Sequence, residues 1–220
     1  MNALATRLVA ALQAEQPSVL RSRGTTYGSR DLAALFPEVC ELPRERVLRA
    51  FLHEVLGPRA GLVRALFFDK PPERSWSLPW HKDRTIAVKD NQRPSTVFGR
   101  PTLKAGIPHV EAPEEILAGM LTLRIHLDAM TSENGPLSVI PGSHQTVNLE
   151  AGDLEGDGGA APVEIHAAAG DVLAMRPLLS HSSSMPREGN TRHRRIIHLE
   201  FAPTADLPDG YEWHSFDGVG

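Results

Sequence analysis

Residues 121–130 read LTLRIHLDAM. Leu121, Leu123, Ile125 and Leu127 fall on one face of an extended chain, and Arg124, His126 and Asp128 on the other. That two-residue period is the signature of a β-strand with one face against a core. The turn TSENG follows, and then PLSVIPGSH, a short strand with a Pro-Gly turn. Upstream, GLVRALFFDK (61–70) is a strand candidate that stops at Pro71-Pro72, ahead of SWSLPWHKDRTIAV (75–88). Downstream, VEIHAA, VLAMRPLLSH and RRIIHLEFAP complete a set of short strands separated by turn residues.

The flanks read differently. Leu4, Leu8, Val9 and Leu12 recur at three- and four-residue steps, as do Val47, Leu48, Phe51, Leu52 and Val55 between Pro43 and Gly57-Pro58. Both patterns predict helices. Residues 89–114, polar with Pro and Gly, read as a long loop or lid, followed by a short helix over Pro113–Met120. The acidic stretch EAGDLEGDGGAAPVE (150–164) fails the calcium-loop spacing and reads as a flexible connection. Short strands with helices gathered at the N-terminus predict a mainly β barrel or sandwich under a helical cover. We expect one domain over 1–220: residues 1–58 mostly helical, 60–203 the β core, 204–220 a C-terminal tail.

The totals agree. The chain has 220 residues, 41% hydrophobic and 23% charged, with eighteen Gly and eighteen Pro, a balance suited to short strands and many turns. A net charge of −4 gives no basic footprint for nucleic acid. The single Cys40 excludes an internal disulfide and fits a reducing compartment. No stretch approaches the ~20 apolar residues of a membrane span, and the N-terminus lacks the features of a signal peptide. The expectation is a cytoplasmic protein with no membrane partner; the sequence leaves its oligomeric state open.

Two His-x-Asp pairs carry the chemistry: His81 and Asp83 in PWHKD, and His126 and Asp128 in LRIHLD. Two His and one carboxylate on one face of a metal make the site of a non-haem iron(II) oxygenase. His181, closing VLAMRPLL ahead of the polar loop SSSMPREGN, is placed to be the distal His. Thirteen residues on, Arg194 begins RRIIHLEF and offers a permanently charged fork for a carboxylate. The residues alone leave both pairs open. Arg124 counts against the second pair, because it can neutralise Asp128 and would repel a metal.

PWHKD, ENGPLSVIPGSH, GDVLAMRPLLSH and RRIIHLEF, in this order, resemble the phytanoyl-CoA dioxygenase family of iron(II)- and 2-oxoglutarate-dependent oxygenases. The resemblance runs over about residues 60–203. It implies a double-stranded β-helix (a cupin-like jelly roll) with N-terminal covering helices. It implies metal ligation by His81, Asp83 and His181, with Arg194 on the far carboxylate of 2-oxoglutarate and Ser183 assisting. The loop before Arg194 is about two residues longer than usual in the family, so Arg192 and Arg195 stay open as anchors. Arg124 and His126 are expected to line the co-substrate or substrate pocket, and Arg64, Lys70, Trp80 and Lys89 the substrate side.

The activity implied is hydroxylation of an unactivated C–H bond in a small molecule, using iron(II), 2-oxoglutarate and O2 and releasing succinate and CO2. Asp83 stands where halogenases of this wider group lack the carboxylate, which favours hydroxylation. The rival outcomes are desaturation, cyclisation or epimerisation by the same chemistry, a metalloenzyme that uses no 2-oxoglutarate, and a non-catalytic barrel that binds a small molecule. Nothing in the sequence names the substrate.

Overall fold

The computed structural model describes residues 2–12, 19–22, 25–72, 75–145 and 160–220. In chain order the main elements are α1 (Asn2–Ala11), β1 (Val19–Ser22), β2 (Thr25–Ser29), α2 (Leu32–Leu35), α3 (Arg46–Leu56), β3 (Gly61–Lys70), β4 (Leu78–His81), β5 (Thr85–Ala87), β6 (Gly99–Lys104), β7 (Ile107–Glu111), α4 (Glu114–Gly119), β8 (Leu121–His126), β9 (Leu137–Val139), β10 (Val163–Ile165), β11 (Val172–Met175), β12 (His181–Ser183), β13 (Arg194–Ala202) and β14 (Asp217–Gly218). The large sheet runs β1-β2-β3-β13-β8-β11, with β14 on the edge of β3. A second sheet runs β10-β9-β12-β4, and a third β5-β7-β6. This is a mainly β jelly roll, with open sheets rather than a closed barrel.

Period-two alternation in the central strands makes the large sheet two-faced. Phe67 of β3, Leu123 and Ile125 of β8, and Ile197, Leu199 and Phe201 of β13 pack with Leu8, Leu12, Leu32 and Leu52 of the covering helices. Each such side chain, almost fully buried, contributes roughly 1.5–3 kcal/mol of transfer free energy. Arg64, Leu66, Phe68 and Lys70 of β3 point to the other face, with Arg124 of β8 and Arg194, Ile196, His198 and Glu200 of β13, where they line a cavity. The antiparallel register sets the pairs, Arg64 opposite Glu200 and Lys70 opposite Arg194.

Helix α3 ends where Gly57 turns with φ 90°, a conformation that costs a side-chain-bearing residue and that Gly adopts freely. The stop signal Gly57-Pro58 is therefore a true boundary.

Two expectations change, and one gains detail. Within the segment 1–58, read as mostly helical, β1 and β2 also extend the large sheet, and Gly28 lies so close to β3 that a Cβ there would meet the Phe67 carbonyl at 2.9 Å. Strands of four and five residues carry too little alternation to be seen in sequence. Residues 89–114 are not one long loop, because β6 and β7 form a hairpin through Ala105 and Gly106, both at positive φ. A two-residue turn of that kind is usually signalled by Asn-Gly, and exposed β6 has no core face to show a pattern. The stretch 204–220 is no free tail, since Tyr211, Trp213 and Val219 are buried and β14 pairs with β3. The acidic connection lies outside the described residues over 146–159.

Candidate metal centre

Strands β4 and β12 pair antiparallel with His181 opposite His81. Register brings two residues a hundred positions apart to a ring-centroid separation of 4.3 Å. Asp83 lies just past the end of β4, so it does not share a strand face with His81 as i and i+2 spacing suggests. Its backbone N–H instead donates to the Pro177 carbonyl at 2.9 Å, which ties the segment after β4 to the one before β12. One donor atom from each of His81, Asp83 and His181 lies within 4.8 Å of the others.

The donor chemistry fits a divalent transition metal. Both His rings engage Nδ1 with a backbone carbonyl two residues back: His81 with Pro79 at 2.7 Å, His181 with Leu179 at 2.9 Å. A carbonyl only accepts, so Nδ1 carries the proton and Nε2 keeps its lone pair free. Nε2 of His181 is 3.7 Å from Asp83 Oδ2, inside the ~4.4 Å that two metal–ligand bonds of ~2.0–2.2 Å span. Burial pushes His181 down to about 4, with Asp83 opposing the shift. The ring is neutral, as a ligand must be.

These groups face a cavity of about 370 Å³. Its walls hold two sets of charged side chains. The first comprises Lys70, Arg124 and Arg194. Lys70 Nζ donates to Ser183 Oγ at 2.8 Å and to the Ser184 carbonyl at 3.0 Å. Burial, then the positive charges of Arg194 and Arg124, bring this lysine down to about 7. Arg124 and Arg194 are 7% and 4% exposed, and the Nε of each has no partner among the described residues. Among the described residues the one hydrogen bond of the Arg194 fork is a weak one, NH1 to the Met130 sulfur at 3.4 Å. Burial, then repulsion from Arg124, pushes Arg194 down to about 9. Two buried guanidiniums that repel each other and have no carboxylate partner among the described residues are costly, and a bound dicarboxylate would relieve them.

The second set centres on Glu200, which accepts from Arg64 through both oxygens, Nε to Oε2 at 2.9 Å and NH2 to Oε1. Arg64 NH1 also donates to His109 Nε2 at 2.8 Å, while His109 Nδ1 rests on the Ile107 carbonyl at 2.9 Å. Burial alone would raise Glu200; Arg64 and His198 overcome it and hold the carboxyl at about 2. Arg30 and Lys104 stand beside this network and also line the cavity.

Of the sequence candidates, His81, Asp83, His181, Ser183, Arg194, Arg124, Arg64 and Lys70 line the cavity. His126, Trp80 and Lys89 do not. His126 is fully buried with neither ring nitrogen partnered among the described residues, and exposed Lys89 pairs with Glu212. Asp128 is neutralised, but by Arg195 rather than Arg124, through Nε and NH2 at 2.7 Å each. That pair removes Arg195 from the cavity, and Arg192 is exposed. Among the three alternatives Arg194 alone lines it. Sequence reading passed over Glu200, His109, Arg30 and Lys104. A carboxylate and an arginine at matching positions of two buried strands was the available signal for Glu200 and Arg64, whereas Lys104 was hidden in the supposed loop.

Burial pushes His109 and His126 down to about 4 each. In the unfolded chain both titrate near 6.5, so between about pH 6.5 and pH 4 the unfolded state binds more protons and stability falls with falling pH. The destabilisation is absent above that window and complete below it, on the order of 3 kcal/mol per ring. Urea unfolding of the apoprotein from about pH 7.5 to pH 4.5 should show this slope. His126→Phe should remove its share of the slope and leave that of His109; an unchanged slope would show that His126 does not contribute.

Residues 33–194 match the family model described as phytanoyl-CoA dioxygenase (PhyH). No curated protein matches the chain in sequence. Among solved structures, AviO1 from Streptomyces viridochromogenes Tue57 superposes with a TM-score of 0.65 at 24% identity, covering 94% of this chain and 84% of that one. EctD from S. alaskensis, with 2-oxoglutarate and 5-hydroxyectoine, gives 0.67 at 18% identity, covering 93% and 66%. SnoN, a non-heme alpha-ketoglutarate-dependent epimerase from nogalamycin biosynthesis, gives 0.62 at 17%, covering 95% and 80%. These likenesses establish a shared fold. No helix among the described residues is long and apolar enough to cross a membrane.

Proposed function

The chain belongs to the phytanoyl-CoA dioxygenase family, and from that membership we propose that it hydroxylates an unactivated C–H bond of a small molecule at the His81–Asp83–His181 centre. It is a non-haem iron enzyme that takes iron(II), 2-oxoglutarate and O2. One observation carries the assignment of residues: three donors within 4.8 Å share a cavity with two buried arginines that lack a carboxylate partner.

When iron(II) and 2-oxoglutarate are bound, their reaction with O2 supplies the oxidising power, releasing succinate and CO2. The chain's own residues prepare for that chemistry. The Pro79 and Leu179 carbonyls fix the two His tautomers so that both Nε2 atoms point to one place. Asp83 would supply the anionic ligand, lowering the net charge of the centre. Arg194, which Arg124 repels, would take a carboxylate of the co-substrate. Lys70 stands with Ser183 and Arg194 by its hydrogen bonds and its electrostatics, so it belongs to the co-substrate end rather than the substrate end. Leu66, Phe68, Trp76, Leu78 and Ile196 form apolar walls that exclude water and hold the reacting bond in position.

An anaerobic titration with iron(II) and then 2-oxoglutarate tests this. The expected result is a visible metal-to-ligand charge-transfer band that saturates at one equivalent of each. Without that band, the binding-only barrel becomes the better reading. The oxidative outcome follows from product analysis: an added hydroxyl supports hydroxylation, and a product with inverted stereochemistry or a new ring replaces it.

A further inference from the structure

We propose that the substrate is itself an anion, an apolar body ending in a carboxylate or phosphate that is held between Arg30 and Lys104. The inference deepens the proposed function and rests on that site being the active site.

Six cations line the cavity, Arg30, Arg64, Lys70, Lys104, Arg124 and Arg194, against two carboxylates, Asp83 and Glu200. Iron(II) and 2-oxoglutarate bring equal and opposite charge, so loading the site leaves that excess in place. Most of the cations have partners by geometry or by the reading above. Arg64 is held by Glu200 and His109, Lys70 by Ser183 and Ser184, and Arg124 and Arg194 face the co-substrate. Arg30 and Lys104 remain. Neither forms an ion pair among the described residues; Lys104 only donates to Thr85 Oγ1 at 2.7 Å, and Arg30 makes no hydrogen bond there.

Their positions make these two a site rather than a solvated fringe. Arg30 follows β2 and Lys104 ends β6, so they approach the cavity from two different sheets. Both are half-buried, and burial, then the repulsion of Arg64 and Arg30, lowers the proton affinity of Lys104, with Asp83 and Glu200 opposing less strongly. Like charges held together in a partly dry cavity repel unless an anion lies between them. Glu200 attracts both from a distance, but its oxygens bond to Arg64 and His198 and to neither of these two. Lys104 donates to Thr85 and feels the charge of Asp83 across the shared cavity, so an anion at Lys104 lies in the same cavity as the metal centre. Leu20, Tyr27, Trp76 and Leu78 are the apolar surface for the body of such a molecule. The same charge rejects cationic substrates.

The test is calorimetric binding to the anaerobic iron(II)–2-oxoglutarate enzyme. Three probes of one shape are compared: 4-phenylbutyrate, 3-phenylpropyl phosphate and the uncharged 4-phenylbutanamide. At least one anion should bind about tenfold or more tightly than the amide, and the tighter of the two identifies the end group. Lys104→Gln and Arg30→Gln should each reduce that preference to about threefold or less, while Lys104→Arg keeps it. The co-substrate band of each variant, recorded first, separates a lost probe site from a lost fold. Equal binding of amide and anions to the native enzyme overturns the proposal without any variant, as does a preference untouched by both glutamines. Should the native protein form no co-substrate band, the proposed function fails, and the same probes on the metal-free protein still decide whether the anion site exists.

Discussion

His81→Ala and His181→Ala each abolish the charge-transfer band of the iron(II)–2-oxoglutarate complex, and His126→Ala leaves it in place. The expectation follows from donor geometry. Each removed imidazole takes away one of only three protein ligands, and the remaining pair cannot hold iron(II) at micromolar concentration. Removing even an outer partner of a metal ligand costs about 10–100-fold in affinity, so loss of a ligand itself lowers it by at least about 100-fold. His126 lies buried on β8, outside the cavity, and its neighbour in the motif, Asp128, is held by Arg195. Its substitution affects stability instead, through the acid limb described above. Equilibrium dialysis of iron(II), read beside the band, separates loss of metal from loss of co-substrate. A band that survives His181→Ala, or one lost only in His126→Ala, moves the centre to the other His-x-Asp pair.

The pair that the sequence favours is also the one that the structure gathers with His181, but for reasons that the sequence states incompletely. Strand β8 announces itself because Leu121, Leu123 and Ile125 must all face the helices, and that requirement writes a period of two. The metal-site strands β4 and β12 have four and three residues and write no pattern. His81 and His181 meet through register, a long-range property that local reading cannot see. Asp83 comes close to the two His from beyond the strand, tied by Pro177, so the i, i+2 argument names a neighbour of His81 from a geometry that does not apply. The repulsion argument against His126 and Asp128 was sound in kind, yet the cation on Asp128 is Arg195 and not Arg124. Lys104 and Arg30 escaped because their elements, an exposed hairpin and a short strand, have too little buried surface to leave an alternating trace.

Arg194→Leu should weaken 2-oxoglutarate binding by about 100-fold or more, the cost of removing one partner of a buried charge pair (about 3–5 kcal/mol). Ser183→Ala should cost only a few-fold, as one neutral hydrogen bond is worth about 0.5–1.5 kcal/mol. Arg194→Lys should fall between, since an ammonium keeps the charge but loses the bidentate fork. A second measurement distinguishes a binding arginine from a structural one. In the apoprotein Arg194 is 4% exposed, has no carboxylate partner among the described residues and is repelled by Arg124, so its charge opposes folding. Removing that charge should therefore leave the apoprotein equally stable or raise its urea midpoint. The native protein, in contrast, should gain stability when the metal and 2-oxoglutarate are added, by mass action, and Arg194→Leu should lose most of that gain. Opposite signs in the empty and loaded states belong to a residue whose partner is the co-substrate. A structural arginine would destabilise both states when removed, and that result would place the co-substrate's carboxylate elsewhere, with Arg124 and Lys70 as the remaining cations of that cluster.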